Sequence, residues 1–228
     1  MTDQRPPGIN TECFFADPPG PLEKLLKTGR PAWEALTELT EFVHQRVQPG
    51  IHGEVETGAT VDENVHLAAG ARVESGAVIK GPTHIGSGTL VRSGAYIREL
   101  VWVGPDCIVG FGTELLRTII LGRCKLPHHV CLMQSLVGRN VRFQAYVAAA
   151  SLPDPPGEVQ IQLDGSDTNT AIVTGMQRLG AVIGDDCLIG GMSFLLPGSM
   201  LAPGLIVEPH SLIKGYHGPS ISSGAVQS

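Results

Sequence analysis

The chain has 228 residues, 42% of them hydrophobic and only 5% aromatic, with 29 glycines and a formal net charge of −6. This balance suits a thin aliphatic core with many turns and gives no general reason to expect nucleic acid or an anionic membrane as partner. No run approaches the roughly 20 apolar residues of a membrane span. The polar start Met1-Thr2-Asp3-Gln4-Arg5 is unlike a secretion signal, and five cysteines without a C-x-x-C pair fit neither a disulfide framework nor a zinc site. A cytoplasmic protein is the default expectation.

Residues 1–50 form a lead and a helical cap in this reading. After a Pro- and Gly-rich start, Pro21 to Lys27 reads as a short helix, and Gly29-Arg30-Pro31 punctuates before a second. There Trp33, Leu36, Leu39, Phe42, Val43 and Val47 recur at three and four, giving one apolar stripe. The stripe is expected to lie across the open end of the repeats that follow, where a bare coil would expose its core and unpaired strand edges.

From residue 51 to 214 the rule changes. Twelve aliphatic residues recur at every sixth position: Val55, Val61, Leu67, Val73, Ile79, Ile85, Val91, Ile97, Val103, Val109, Leu115 and Leu121. Two positions before each stands a less bulky residue, from Gly53 and Ala59 to Cys107, Thr113 and Ile119. A period of six fits neither a helix nor plain alternation. It fits a solenoid in which each hexad makes a strand and a turn and three hexads close a triangular coil, an all-β parallel β-helix. Cys107 and Cys187, at small inward positions, read as buried thiols.

The ladder breaks twice. Sixteen residues separate Leu121 from Val137, and the interval holds Arg123-Cys124-Lys125-Leu126-Pro127-His128-His129-Val130, so the register slip is expected beside a proline and two histidines. After Phe143 and Ala149 the chain leaves again in a polar excursion, 151–180, with Pro153, Pro155, Pro156 and Gly157, too long to be a turn. Hexads resume at Ile183, Ile189, Leu195, Leu201, Val207 and Ile213, making roughly seven coils, about 35 Å high. Residues 215–228 form a tail.

The hexads, together with Tyr96-Ile97-Arg98, Glu114, Lys125-Leu126-Pro127-His128, Ser135-Leu136-Val137-Gly138 and the run Ala181 to Asp186, resemble the acetyltransferase domain of bifunctional glucosamine-1-phosphate acetyltransferase/uridylyltransferases and the archaeal-type sugar-phosphate nucleotidyltransferases. The likeness covers about Trp33 to Ile213. It implies a left-handed β-helix, whereas the general rule for parallel crossovers favours the other hand. It also implies a homotrimer whose intersubunit cleft takes acetyl-CoA or another acyl-CoA and a sugar phosphate or nucleotide sugar. On the matching positions, His128 is the general base toward the acceptor amine, suited to that work by the ordinary imidazole pKa near neutrality. Arg98 is a phosphate ligand, and Ala145 a small residue near the coenzyme.

The chain departs from the family at four places. Leu116 replaces a phosphate-binding lysine, Cys131 a tyrosine, and Arg142 and Ser151 later asparagines; Arg117 and Arg142 are candidate replacement cations for the substrate. The nucleotidyltransferase half is not expected here, since some fifty residues precede the coils and hold no Gly-rich nucleotide loop. The alternative function is a non-catalytic trimer that binds a nucleotide sugar or scaffolds a partner sugar nucleotidyltransferase. In a bland reading His128 only satisfies backbone groups at the slip, and His129 is a surface residue. His66 and His84, 18 apart, invite comparison with the interfacial zinc of trimeric γ-type carbonic anhydrases. Trp102 continues their column, no His-x4-His pair exists, and no metal is expected.

Overall fold

The computed structural model describes residues 8–163 and 171–218. It is a parallel β-helix of triangular section, with three sheets of nine, eight and eight strands in which each strand pairs with its equivalent one coil away. The first face runs from Gly50–Ile51 to Tyr216–His217, the second from Glu54–Val55 to Ile206–Val207, and the third from Thr60–Val61 to Leu212–Ile213. Val73, Ile79, Ile85, Val91 and Ile97 point inward and are fully buried. At the small inward positions Thr and Ser bond to carbonyls of the next coil, as Thr83 Oγ1 does to Arg98 O at 3.1 Å and Thr118 Oγ1 to Leu132 O at 3.2 Å. Among the described residues no buried side-chain nitrogen or oxygen lacks a partner, as a closed aliphatic core requires.

The register differs from the sequence reading in one respect that matters for the site. The lower coils hold 18 residues, as Val65, Thr83 and Val101 pair in turn. The middle coils hold 17, as Val103 pairs with Ile120 and Ile120 with Val137, and the last return to 18, as Ile183 pairs with Leu201. Ile120, not Leu121, is therefore the inward rung and Thr118, not Ile119, the small one, while Leu121 packs outside with the N-terminal segment. The missing residue is lost at the corner between the third and first faces, where Arg117 and Gln134 close tight turns at φ 48° and 46°. Pro127-His128 is regular strand: Leu126 is an inward rung and His128 pairs with Phe111. The stack is also taller than seven coils. The rungs Leu126 and Leu132 fall out of a strict six-residue count, and strands at 50–51 and 216–217 extend both ends.

The helix forms but does not cap an end. Helix α1, Glu34–Arg46, buries Leu36, Leu39, Phe42 and Val43 against the outer side of the first face, with the Phe42 and Trp102 rings 5.4 Å apart and Arg117 Nη2 donating to Thr40 Oγ1 at 2.9 Å. The preceding segment climbs the same face. Asp185 N donates to Phe14 O at 3.0 Å, and the Phe14 ring meets Tyr216 edge-on at 6.3 Å. The expected helix at Pro21 to Lys27 is a 3-10 turn, Gly20–Leu22.

The physical reason lies in the middle residues of the first-face strands. Trp102, Ile119, Leu136, Val182 and Met200 form an apolar outer column, and covering it removes more apolar surface from water than covering one coil end. Among the described residues the first coil stays open, with Ile51 and Val55 exposed at 50% and 37%.

The excursion contributes a two-stranded antiparallel hairpin, Gln160–Ile161 with Ile172–Val173, and lays Val159, Ile161 and Leu179 on the same covered face. Met1 to Arg5, part of the excursion (164–170) and the tail beyond residue 218 lie outside the described residues. Among the described residues no helix is long and apolar enough to cross a membrane.

Candidate functional site

With the first face covered above its first strand, the second and third faces and their shared corner carry uncovered side chains. Above the first coil, seven large apolar side chains remain exposed there among the described residues: Tyr96, Phe111, Tyr146, Met192, Phe194, Ile206 and Leu212. His128 ends the strand Lys125–His128 at this corner and is exposed. Gly110, one coil below, makes the close approach possible, because a Cβ there would collide with the carbonyl oxygen of Pro127. The backbone oxygen of His128 accepts Tyr146 N at 3.1 Å. Among the described residues its imidazole has no hydrogen-bond partner, so the ring is not tying down an irregular backbone.

His129 behaves differently from a plain surface residue. Held at φ 51°, it is half-buried, with its ring stacked on Tyr146 at 4.8 Å and 10° and edge-on to Phe111 at 5.2 Å. Phe111, His129 and Tyr146 thus make an exposed aromatic column beside His128. Ala145 lies one coil above on the same corner and is half-buried.

The expected cations do not converge within one chain. Arg98 is on the third face, where its guanidinium lies 3.2 Å from Glu114 and 4.0 Å from Glu99, so its charge is already engaged. Cys131 pairs with Glu114 across the coils. Burial and then the Glu114 carboxylate push its thiol above the ordinary cysteine value, against the pull of Arg98. Leu116 lies on the same face opposite Met133, and Ser151 is buried where the excursion leaves. Arg142 is exposed on the second face beside Lys125. Arg117 is at the opposite corner, bonded to helix α1.

Two features escaped the sequence reading, the aromatic column and the Lys125–Arg142 pair. Both follow from a spacing of 17, which links Lys125 to Arg142 and His129 to Tyr146, once the shortened coil is known. The His66–His84 column is real, its rings 4.9 Å apart and 6° from parallel. Its next member is Trp102, stacked on His84 at 3.9 Å, and among the described residues no group of three or more His, Cys, Asp or Glu is placed to hold a metal.

Three flat faces of hexad strands around an aliphatic core give the chain a hexapeptide-repeat parallel β-helix fold. Its sequence is similar to that of archaeal proteins named bifunctional protein GlmU: the one from Methanococcus vannielii is 32% identical over 185 residues, 81% of this chain and 43% of that protein. The one from Methanococcus maripaludis strain C7 is 39% identical over 181 residues, 79% of this chain and 43% of its own length. The chain thus spans less than half of these relatives. No family model matches it. A crystal structure of a hexapeptide transferase family protein from Anaplasma phagocytophilum aligns over 73% of this chain and 74% of its own, at 15% identity and a TM-score of 0.32.

Proposed function

We propose that this chain is an acyltransferase, moving an acetyl or other acyl group from a coenzyme A thioester to the amine of a sugar phosphate or nucleotide sugar, as a cytoplasmic homotrimer. The observation that carries the reading is His128: exposed, its ring without a hydrogen-bond partner among the described residues, one coil below the small Ala145, in a chain similar to the bifunctional relatives. A neutral imidazole there accepts the proton of the acceptor nitrogen as it attacks the thioester carbonyl. The carbon–sulfur bond then breaks, the sulfur leaves as thiolate, and the proton held on His128 is available to it. The two uncovered faces are the surfaces through which three copies associate around such a cleft.

Two observations favour the rival, a non-catalytic trimer that binds a nucleotide sugar or scaffolds a sugar nucleotidyltransferase. Arg98 is spent on Glu114, and the matching tyrosine position holds the half-buried Cys131. A thiol-release assay with acetyl-CoA against a panel of amino sugar phosphates and nucleotide sugars separates the two. Acceptor-dependent release lost in His128→Ala supports acyl transfer, and no release with any acceptor supports the rival.

A further inference from the structure

We infer that the open first coil is a docking edge, and that its occupant is an extended, lysine- or arginine-bearing strand of a partner protein. Gly50–Ile51, Glu54–Val55 and Thr60–Val61 are the terminal strands of the three sheets. In the coil above, the inward rungs Leu67, Val73 and Ile79 turn their carbonyls down onto this coil. They accept from His52 N at 2.8 Å, Glu56 N at 2.9 Å and Asp62 N at 3.0 Å. Ile51, Val55 and Val61 are the register partners of those rungs. Their own N–H and C=O groups therefore point out of the end of the stack, where no further coil receives them. At the opposite end the rungs Val207 and Ile213 are buried, so the two ends are not equivalent.

No other part of this sequence reaches the first coil. The described residues begin and end at Gly8 and Gly218, and both lie against the ring of Tyr216 in the last strand of the first face. With nine strands on that face, Tyr216 stands about 38 Å from Gly50. Residues 219–228 span at most about 36 Å at full stretch, and residues 1–7 less. Residues 164–170 start beside Leu163, which is itself bridged to Tyr216.

Charge decides between occupants. Residues 50–67 hold Glu54, Glu56, Asp62 and Glu63 and no lysine or arginine, and the nearest cation before them, Arg46, ends helix α1. A second copy docked end to end would set these four carboxylates against the same four, which is repulsive. The coil above shows what suits this rim. Arg72 lies 3.8 Å from Glu54 and is bonded to Glu56, and Lys80 lies 3.3 Å from Asp62. Among the described residues Glu63 has no ion-pair partner.

A strand docked below repeats that arrangement from the other side. Its apolar side chains continue the columns of Ile51, Val55 and Val61, and its alternate cations stand outward against Glu54, Glu56 and Asp62. Backbone pairing supplies the affinity and the cations supply the selectivity. The inference does not depend on His128 or on acyl transfer.

Fluorescence anisotropy with the full chain at about 50 mM salt, where exposed charges are less screened, tests it with three labelled peptides. One alternates lysine and valine, the second is the same peptide N-methylated on alternate amides, and the third alternates glutamate and valine. The lysine–valine peptide is expected to bind at least about tenfold tighter than either of the others. Glu54→Lys and Val55→Lys should each weaken it about tenfold, whereas Glu158→Lys, the same charge change on the excursion, should leave it within about twofold. Hydrogen exchange on the wild type keeps the test independent of how the variants fold: the lysine–valine peptide should protect the Val55 and Val61 amides. Equal binding of the N-methylated peptide, no binding of the lysine–valine peptide, or an equal loss in Glu158→Lys overturns the proposal. So does a doubling of particle mass at high salt that Val55→Lys abolishes, which would make a second copy the occupant.

Discussion

The indole of Trp102 lies flat on the imidazole of His84, their centroids 3.9 Å apart and their planes 15° from parallel. Phe42 of helix α1 closes the stack from one side and His66 from the other, so His84 is desolvated where the N-terminal segment meets the first face. Burial first, and the neighbouring His66 second, push its pKa down to about 4. An unfolded histidine titrates near 6.5, so between these values the unfolded chain binds the extra proton. Stability is fully present above about pH 6.5 and falls as pH drops toward 4, by roughly 3 kcal/mol at most from this group. Urea unfolding at pH 7.5 and pH 5 should differ by roughly 2 kcal/mol more in the wild type than in His84→Gln. Equal pH sensitivity in the two would remove His84 as the cause.

Ile97 is fully buried in the rung column, while Ser87 is exposed in a turn. Replacing Ile97 by Asp puts an unpaired carboxylate into a closed aliphatic stack and should cost several kcal/mol, enough to prevent folding of a domain of ordinary stability. Ser87→Asp should melt within a few degrees of wild type. Near-equal melting of both variants, followed by circular dichroism, would show that the inward register is misassigned.

The five thiols divide by burial: Cys107, Cys124 and Cys187 are buried and Cys13 and Cys131 half-buried. Burial is the main cause of the rise of the Cys187 thiol to about 12, and a protonated, shielded thiol does not react. A colorimetric thiol reagent at pH 8 should therefore titrate no more than Cys13 and Cys131 quickly in the native protein and all five in denaturant. Rapid native labelling of Cys187, read by mass spectrometry of the peptides, would contradict the packing.

The parallel β-helix is legible in the sequence because one rule, an aliphatic residue every six, repeats without regard to what lies outside the coil. Departures from the repeat are harder to place. A side shortened by one residue leaves two adjacent aliphatics, Ile120 and Leu121, each a plausible rung, and only the pairing of Val103 with Ile120 decides. The covering of the first face had a readable signal in the apolar middle residues of Val101–Val103, Ala181–Ile183 and Ser199–Leu201. A triplet apolar on both sides belongs to a strand buried on both sides. Residue type alone marked His128 but not its surroundings, since Phe111 and Tyr146 reach that corner through a 17-residue spacing that becomes visible only with the register in hand.

Assembly follows from the distribution of uncovered apolar side chains. Tyr96, Phe194 and Leu212 project from the third face and Ile206 from the second, while the first is closed by helix α1 and the excursion. In the proposed trimer, the second face of one copy meets the third face of the next in a heterologous contact that closes as a ring, and the expected mass is about 72 kDa, three times 24.1 kDa. Light scattering at micromolar concentration should return that mass, and Leu212→Glu with Phe194→Glu should shift it toward the monomer while leaving the coil folded. A monomeric wild type would remove the shared cleft.

His128 and His129 are adjacent yet differently held, and this makes them a matched pair of probes. His128 is exposed, and among the described residues no side chain bonds its ring, so His128→Ala should leave the melting temperature and the oligomeric mass nearly unchanged. If the ring is the general base, it should also lower turnover by about a hundredfold or more, the usual scale of positioned proton transfer, with the loss in kcat. His129 is packed between Phe111 and Tyr146, so His129→Ala should cost about 1 kcal/mol of stacking and lower the melting temperature by a few degrees, with a much smaller effect on turnover. The two variants are measured side by side on the acceptor found in the thiol-release panel. Wild-type activity in His128→Ala would sink the base assignment and leave the non-catalytic reading in possession of the corner. Unfolding of His128→Ala would show instead that the imidazole is structural, contrary to its exposure and its lack of a bonded partner among the described residues.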